Sequence, residues 1–379
     1  MIRLRRNIFK MQRLILITSL CIGCINKTSE NRNEVISFDT SEFFSLSEEY
    51  IIQEDSIGTN IFGFAPDDFL YRHGGMYVNI SWGSQIVYIT PPFTGYTQIG
   101  KNGLGPGEYA NPAYMVIEQN NLFYSDKSSG LIKSLPLRKD PKTTFYSLIT
   151  TKGSSKFAVS LPYIALIHDS NPAIHLYKFD DVGNAAPVEE FMTLEPHFEV
   201  LLDYGLGGGG ILFDRDKDVL YLYCITDAPY KILVYNVVEQ NGITKVELEK
   251  ELNMVDQPWY KNWSEQNYSK FSSMNSIMQK TQYMAGSYTA VEDFAILYDD
   301  TKSFFFVQLV QYNVSAETGT QRIFQVIDNE GTILGTYTGN MKFLDSEGGK
   351  VYFYNFKDNN KPLRITEYHF ESEPPTDLN

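Results

Sequence analysis

Short runs of β-branched and aromatic residues, separated by turn-forming residues, recur through most of this 379-residue chain. The first is MYVNI (76–80), and later examples are DVLYLYCIT (218–226) and KVYFYNF (350–356). Such runs are typical of β-strands, and the Gly, Asp, Asn and Pro residues between them are typical of turns. Many strands of similar spacing with few helical periods predict an all-β fold.

The length of the strand-rich region favours a β-propeller over a β-sandwich. Residues 57–370 make 314 positions, more than a single sandwich normally needs, whereas a propeller repeats four-stranded blades around an axis. Six blades would contain about 52 residues each, close to the roughly 50 residues of kelch-type repeats. We therefore predict one propeller domain over residues 41–370, with six blades of four antiparallel strands. Seven shorter blades stay open as an alternative.

Residues 256–280 interrupt the strand pattern. In this segment apolar residues recur at roughly helical spacing, which predicts a short helical insertion over one face of the disc. Its apolar stripe can pack against the propeller body, the usual role of such a stripe. The alternative is that Trp259, Tyr260 and Trp263 are exposed and stack on a ligand.

The first 24 residues have the pattern of a secretory signal. Five basic residues and no acidic residue precede an apolar run from Leu14 to Ile22. Gly23 and Cys24 follow this run, as a small residue does at a cleavage site. The run is shorter than the roughly 20 apolar residues that a membrane-spanning helix needs. The predicted segments outside the propeller are a signal peptide (1–23), a lipidated flexible tether (24–40) and a disordered tail (371–379).

A cysteine directly after a small residue, as in Gly23-Cys24, resembles the lipobox of bacterial lipoproteins. One position departs from that motif, since Cys21 stands where a lipobox usually has Leu. The resemblance implies that cleavage leaves Cys24 as a lipid-modified first residue. The acyl chains would then attach the protein to the bacterial outer membrane. Cys224 would be the other cysteine of the mature chain, so neither an internal disulfide framework nor a cysteine-based zinc site is expected.

The charge of the mature chain argues against nucleic acid as a partner. Without residues 1–23 the chain has 27 basic and 46 acidic residues. Such a surface repels phosphate backbones. It also offers no basic patch for anionic lipid, which leaves the acyl chains as the expected membrane attachment.

The most distinctive internal string is IGKNGLGPGEYANP, residues 99–112. Its glycines allow backbone angles closed to other residues, and its proline fixes one turn position, so a long connection of defined shape is predicted. Glu108 is expected to bond the backbone amides of this loop rather than to act in catalysis. The string resembles the GxGPGEY-type loop of six-bladed β-propeller lipoproteins of Gram-negative bacteria, related in fold to NHL and TolB-like propellers. The matching residues are Gly103, Gly105, Pro106, Gly107, Glu108 and Tyr109. The resemblance implies a fold and an envelope location more than an activity.

No catalytic or metal-binding motif is evident in the sequence. The run GLGGGG (205–210) lacks the Lys-Ser or Lys-Thr of a phosphate-binding loop, and the five histidines have no metal-ligand spacing. The acidic run at 214–218 lacks the Gly and Glu of a calcium loop. No cofactor or metal is therefore expected. His168 and Asp169 end a predicted strand together and are candidates for contact with a ligand in the channel.

Three classes of function follow from this reading. The first is a non-catalytic envelope lipoprotein whose propeller captures a glycan, a peptide or another envelope protein. The second is a propeller hydrolase or lyase with channel-facing Asp, His, Arg or Tyr side chains, an argument from fold alone. The third is an accessory subunit of an envelope complex. Two carboxylates, or a carboxylate and a histidine, converging within hydrogen-bond reach in a closed pocket would favour the enzyme.

Overall fold

The structure is a computed structural model, and its described part begins at Phe43 and ends at Ser372. The described residues are 43–52, 68–80, 85–91, 95–138, 144–149, 156–168, 170–203, 209–216, 219–227, 229–254, 259–299, 302–312, 320–339, 341–355 and 363–372. The predicted signal peptide, the tether with Cys24 and most of the predicted tail lie outside them.

Within these residues, six four-stranded antiparallel sheets form the blades of a propeller, which confirms the predicted fold. The first strand of the chain is β1 (Phe44–Ile52). Blade 1 contains β2 (Asp68–Arg72), β3 (Gly75–Ile80), β4 (Gln85–Ile89) and β5 (Tyr96–Ile99). A short parallel pair, β6 (Lys101–Asn102) and β7 (Glu108–Tyr109), follows it. Blade 2 contains β8 (Pro112–Glu118), β9 (Asn121–Asp126), β10 (Leu131–Pro136) and β11 (Ser147–Ile149).

The remaining blades follow the same order, with helices between them. Blade 3 contains β12 (Phe157–Ser160), β13 (Tyr163–Ile167), β14 (Ile174–Phe179) and β15 (Ala185–Phe191), and α1 (Pro196–Asp203) follows. Blade 4 contains β16 (Gly210–Asp216), β17 (Val219–Asp227), β18 (Tyr230–Gln240) and β19 (Ile243–Asn253), and α2 (Glu265–Ser272) and α3 (Ile277–Ser287) follow. Blade 5 contains β20 (Ala290–Tyr298), β21 (Ser303–Tyr312), β22 (Thr320–Asp328) and β23 (Ile333–Gly339). Blade 6 contains β24 (Lys342–Glu347), β25 (Lys350–Asn355), β26 (Leu363–Phe370) and the distant β1.

The first strands of the blades form a ring around a central channel. β2, β8, β12, β16, β20 and β24 contact one another in that order, and β24 contacts β2 to complete the ring. We call the face where these strands begin the upper face of the disc, and the face where they end the lower face. Side chains on the first strands therefore line the channel from one face to the other.

The hydrophobic core lies between the blades. Successive side chains of a strand point to opposite faces of its sheet, so each middle strand contributes to two neighbouring core clusters. In β17, Leu222 and Cys224 pack towards blade 3, whereas Tyr223 and Ile225 pack towards blade 5. Cys224 is thus a small buried apolar residue, and burial raises the pKa of its thiol.

The chain closes the ring with its own first strand. β1 pairs antiparallel with β26, and Phe44 stands opposite Phe370. The Phe44 side chain is 2% exposed, and its ring lies 5.7 Å from the rings of Phe306 and Phe370 and 5.9 Å from the ring of Tyr337. Blade 6 is therefore complete only when both ends of the domain meet.

The three described helices form a cap on the upper face. Its core contains Phe198 and Leu201 of α1, Trp263, Met284 of α3 and Ala290 at the start of β20. α2 begins after Ser264, whose side chain and that of Asn267 form a reciprocal capping box. The helical segment was predicted at 256–280. α2 lies within that range and begins only after its cap, Ser264, whereas α3 continues beyond it to Ser287. No helix in the described part of the chain is long and apolar enough to span a membrane.

Candidate functional site

The central channel is the candidate site. It encloses a cavity of about 310 Å³ lined by residues from the first strands of all six blades. Ionisable side chains reach its wall from several blades, which is unusual for the axis of a packed domain. Those in the wall itself include Asp68, Arg72, Lys156, Asp293 and Asp345.

Three of the strands around the channel contain β-bulges. The register shifts between Pro112 and Met115 in β8, between Val291 and Asp293 in β20, and between Phe343 and Asp345 in β24. A bulge interrupts the hydrogen-bond ladder and re-aims the neighbouring side chains. Here it also leaves backbone amides available to the next blade. The Met115 amide donates to Asp68 Oδ2 at 2.6 Å, so blade 1 fixes the bulge of blade 2.

Asp68 begins β2 at the upper end of the channel. Its carboxyl group accepts hydrogen bonds from the amides of Phe69 (3.0 Å) and Met115 (2.6 Å). Burial raises the pKa of Asp68 to about 8, and the nearby Asp293 carboxylate adds to this effect against the lowering influence of the backbone amides and Lys342. Asp68 is therefore mainly protonated at neutral pH and can donate a hydrogen bond as well as accept one.

Asp293 faces Asp68 from blade 5, and its protonation differs. Its Oδ1 accepts a hydrogen bond from the Phe294 amide at 2.9 Å. Burial raises the pKa of Asp293 to about 6, while the charges of Lys156 and Lys342 act in the opposite direction. At neutral pH Asp293 is mainly ionised and acts as an acceptor. The two carboxyl groups thus have different hydrogen-bonding roles.

Glu292, the bulge residue of β20, organises the basic side chains. Its carboxylate accepts from Arg322 Nε at 2.7 Å and from Gln308 Nε2 at 2.6 Å, and Lys342 Nζ lies 3.8 Å from Oε1. Burial opposes ionisation of Glu292, but the hydrogen bond from Arg322 and the charge of Lys342 outweigh it and hold its pKa below the ordinary value. Lys156 Nζ donates to the backbone oxygens of Gly209 (2.8 Å) and Glu292 (3.0 Å), which connects blades 3, 4 and 5.

Tyr114 and Asp345 complete the polar wall. Burial raises the pKa of the Tyr114 hydroxyl, and the carboxylates of Asp293, Asp68 and Asp345 raise it further, so this hydroxyl stays protonated. Asp345 accepts from the Tyr71 amide at 3.1 Å and forms an ion pair with Arg72. Its role is to join blade 6 to blade 1, whereas Tyr114 supplies a donor to the channel.

The chemistry of this wall suits recognition of a polar molecule. Asp68 and Tyr114 can donate and accept, Asp293 accepts, and Lys156 donates. Among the described residues, no group of three or more His, Cys, Asp or Glu side chains could hold a metal ion.

The aromatic residues of the predicted helical insertion do not line the channel. Trp263 is fully buried in the core of the helical cap, and its Nε1 donates to the His197 backbone oxygen at 2.7 Å. Its ring is therefore not available to stack on a ligand in this structure. Trp259 and Tyr260 are half-buried and pack against the core between blades 4 and 5.

The predicted His168 and Asp169 pair is placed only in part. The His168 ring stacks on the ring of His175 at 3.9 Å, and His168 is not part of the channel wall. Asp169 lies outside the described residues. Of this pair, the described structure therefore tests only His168, which it places outside the channel wall.

The glycine-rich loop forms a rigid connection between blades 1 and 2. Glu108 Oε2 accepts from the Gly105 amide at 2.9 Å and its Oε1 lies 2.8 Å from Lys101 Nζ. Gly103 has a positive φ, and a Cβ there would meet the Glu108 carboxylate at 2.1 Å. Tyr109 is fully buried and donates to the Ile99 backbone oxygen at 2.8 Å. Glu108 thus serves the backbone of its own loop.

The channel residues Asp68, Tyr114 and Asp293 belong to no sequence motif. The only signal is an acid inside an apolar strand, as in VEDFAILY around Asp293 and KFLDSE around Asp345. Such a signal also fits a solvated strand face. Only the order of blades around the ring shows that these acids meet.

Asp68→Asn is expected to flatten the pH dependence of stability. The pKa of Asp68 is about 8 in the folded chain against 3.8 ordinarily, so the folded state holds a proton that the unfolded state has lost between these values. The wild type therefore loses stability as pH rises from 4 to 8, at up to about 1.4 kcal/mol per pH unit from this group. Urea unfolding at pH 5, 6, 7 and 8 measures the slope. An identical slope in the variant would contradict the burial of this carboxyl group.

No protein-family model matches the chain, and no curated protein is similar to it in sequence. A solved structure from Bacteroides fragilis, described as an exported protein, matches with a TM-score of 0.52 and 11% identity, covering 90% of this chain and 98% of that chain. BamB from Moraxella catarrhalis matches with a TM-score of 0.38 and 9% identity, covering 86% of this chain and 100% of that chain. The aldose sugar dehydrogenase of Streptomyces coelicolor matches with a TM-score of 0.41 and 9% identity over 86% and 98% of the two chains. The first likeness shows a shared fold alone, and the other two are too loose to carry an argument.

Proposed function

We propose that this chain is a non-catalytic lipoprotein of the bacterial envelope that binds a small hydroxyl-rich molecule at the upper end of its channel. The observation that carries the proposal is the set of donors and acceptors around Asp68 and Asp293. Groups of both kinds converge on a cavity of about 310 Å³, at the small end of the range for ligand pockets.

The protonation of the wall favours a neutral ligand over an ion. Asp68 is mainly neutral at pH 7, and the charge of Asp293 is offset by Lys156 and Lys342. An anion would meet the Asp293 carboxylate, and a cation would meet the Lys156 ammonium group in the wall. A sugar or polyol can pair with both the donors and the acceptors of the wall, because each hydroxyl group can donate to a carboxylate and accept from an ammonium group.

The envelope location is supported by the amino-terminal sequence. The basic start, the apolar run and Cys24 have the order of a lipoprotein signal. The Bacteroides fragilis protein that shares the fold is described as exported, which is in keeping with this location. A polar tether after Cys24 would let the propeller face a ligand away from the membrane.

A second candidate function is a hydrolase or lyase. It is favoured by the unequal protonation of Asp68 and Asp293, since a neutral acid beside an ionised carboxylate can act as a general acid and a general base. Against it, each carboxyl group accepts hydrogen bonds from backbone amides. These bonds suit a fixed binding wall better than groups that exchange protons.

The test is a binding screen of the full chain, purified in detergent, against monosaccharides, polyols, amino acids and dipeptides. Sugars or polyols are expected to raise the melting temperature, and calorimetry is expected to show affinity about tenfold weaker in Asp293→Asn, which loses a charged acceptor. Wild-type binding should also weaken below pH 6, where Asp293 takes up a proton. The matched control is Glu247→Gln, an exposed change on β19.

Two results would contradict the proposal: binding of dipeptides alone, or equal affinity for the sugar or polyol in Asp293→Asn and in the control Glu247→Gln. Conversion of a compound during the titration, lost in both Asp68→Asn and Asp293→Asn, would instead support the enzyme.

A further inference from the structure

A second cavity, of about 440 Å³, lies between blades 4 and 5. Its walls come from the blade 4 strands β16, β17, β18 and β19 and from the blade 5 strands β20 and β21 with the turn after β22. Asp214 and Tyr298, near the ends of β16 and β20, place its inner end at the lower face. We call it the radial groove. It is separate from the donors and acceptors at the upper end of the channel.

Tyrosine rings line the radial groove from its inner end outwards. Tyr298 is 47% exposed at the inner end, and Tyr221 is half-buried along the wall. The Tyr221 ring lies 6.0 Å from the ring of Tyr223. The Tyr223 ring in turn packs edge-on against the ring of Phe305 at 5.3 Å. These contacts restrain the Tyr221 ring before any ligand arrives, which reduces the entropy cost of binding beside it.

Charged side chains stand at the two ends of the groove. At the rim, Lys250 Nζ donates to the Asn329 backbone oxygen and to Glu330 Oε2, both at 2.7 Å, and so ties blade 4 to blade 5. At the inner end, the Lys302 amide donates to Asp299 Oδ1 at 2.8 Å, which fixes the turn beside Tyr298. Hydrogen-bonding groups thus flank the rings on both sides.

The structure favours a carbohydrate chain as the occupant over a peptide or a nucleic acid. The middle strands β17, β18 and β21 are paired on both sides, and the edge strand β19 lies only at the rim. A peptide lying beside Tyr221 and Phe305 therefore finds no strand edge to extend. Carboxylates outnumber lysines in the groove, with Asp214, Glu249, Asp299 and Glu330 against Lys250 and Lys302. That balance repels phosphates. Sugar rings present C–H groups to aromatic faces and hydroxyl groups to carboxylates and ammonium groups.

We propose that the radial groove binds a neutral oligosaccharide, with one sugar ring stacked on Tyr298 and its neighbours hydrogen-bonded by the charged side chains towards the rim. Tyr298 lines the channel cavity as well as the groove, whereas Asp68 and Asp293 line the channel alone. A glycan in the groove therefore does not contact the channel site proposed at Asp68 and Asp293.

The experiment screens the full chain, purified in detergent, on an array of neutral oligosaccharides of one to six sugar units, and titrates the best binder by calorimetry. Tyr298→Ala is expected to weaken that binding about tenfold. Tyr298→Phe keeps the ring and should stay within about twofold of the wild type. Asp68→Asn, in the channel, should leave the affinity unchanged. Because Tyr298 is well exposed, circular dichroism and melting temperature should show that both Tyr298 variants are folded, and the same measurements check the fold of Asp68→Asn.

Two outcomes would overturn the radial groove as a glycan site. One is the absence of any bound oligosaccharide on the array, and small polyols could still bind in the channel in that case. The other is a glycan whose affinity is lost in Asp68→Asn but kept in Tyr298→Ala, which would place it in the channel and leave the proposed function standing.

Discussion

Asp126→Ala is expected to lower the free energy of unfolding by about 3–5 kcal/mol, the usual cost of breaking a buried ion pair from one side. The Asp126 side chain is fully buried, and its partner Lys133 is nearly so, with Nζ 3.2 Å from Oδ2. The same carboxylate accepts from the amides of Ala110 (3.2 Å), Asn111 (3.1 Å) and Ser128 (3.0 Å). Alanine would leave these amides and the Lys133 ammonium without their acceptor.

The effect should be visible both globally and in the glycine-rich loop. Lys133 Nζ also donates to the Glu108 backbone oxygen at 3.0 Å, so the loss of Asp126 disturbs the loop and blade 2 together. Urea unfolding gives the stability, and hydrogen exchange should show faster exchange at Ala110 and Asn111. Glu251→Ala is the matched control, because the exposed pair of Glu251 with Lys231 (2.6 Å) should contribute no more than about 1 kcal/mol. Equal losses in the two variants would refute the structural role of Asp126.

The Asp126 pair also predicts a response to acid. Burial opposes ionisation of Asp126, but hydrogen bonds from Ala110, Ser128 and Lys133 outweigh it and hold its pKa below the ordinary value. A carboxylate of this kind stabilises the fold above its unfolded pKa and loses that contribution as pH falls through the folded value. The wild type should therefore lose more stability below pH 4 than Asp126→Ala does.

Phe44→Ala is expected to cost about 3–5 kcal/mol of unfolding free energy, the range for removing a buried aromatic ring. Phe44 is 2% exposed and contacts two rings of blade 5, Phe306 and Tyr337, and the ring of its strand partner Phe370 in blade 6. The variant would leave a cavity at the seam where β1 completes blade 6.

Leu46→Ala on the same strand is the control, because Leu46 is 62% exposed. Its effect should stay within about 0.5 kcal/mol. Chemical denaturation of both variants measures the difference. Similar values for the two would mean that β1 does not seal the ring through its buried side.

The fold could be predicted because each blade has the same local pattern. The run GLIKSLPL at 130–137, for instance, predicts a strand, and β10 occupies Leu131–Pro136. β1 escaped prediction, since FSLSEEYII is an edge strand whose exposed Ser and Glu residues hide any alternation. Its partner β26 is at the other end of the domain, so no local signal identifies it.

The site was much harder to predict than the fold. Asp68 and Asp293 lie in blades 1 and 5, and only the closed ring brings them to one cavity. The alternative in which Trp263 is exposed is wrong, because a helical stripe does not show what covers it. Here the cover includes Phe198 and Leu201 of α1, which the chain supplies from the connection between blades 3 and 4.

The closing pair of β1 and β26 also sets when the protein can finish folding. The Ser45 hydroxyl donates to Glu371 Oε1 across 326 positions of sequence, so the last contacts need nearly the whole chain. Pairings of such long range are slow to form. Until β26 emerges, β1 is a strand without a neighbour, open to pairing with another molecule. The risk of such pairing therefore lasts until the final residues of the domain can take part in folding.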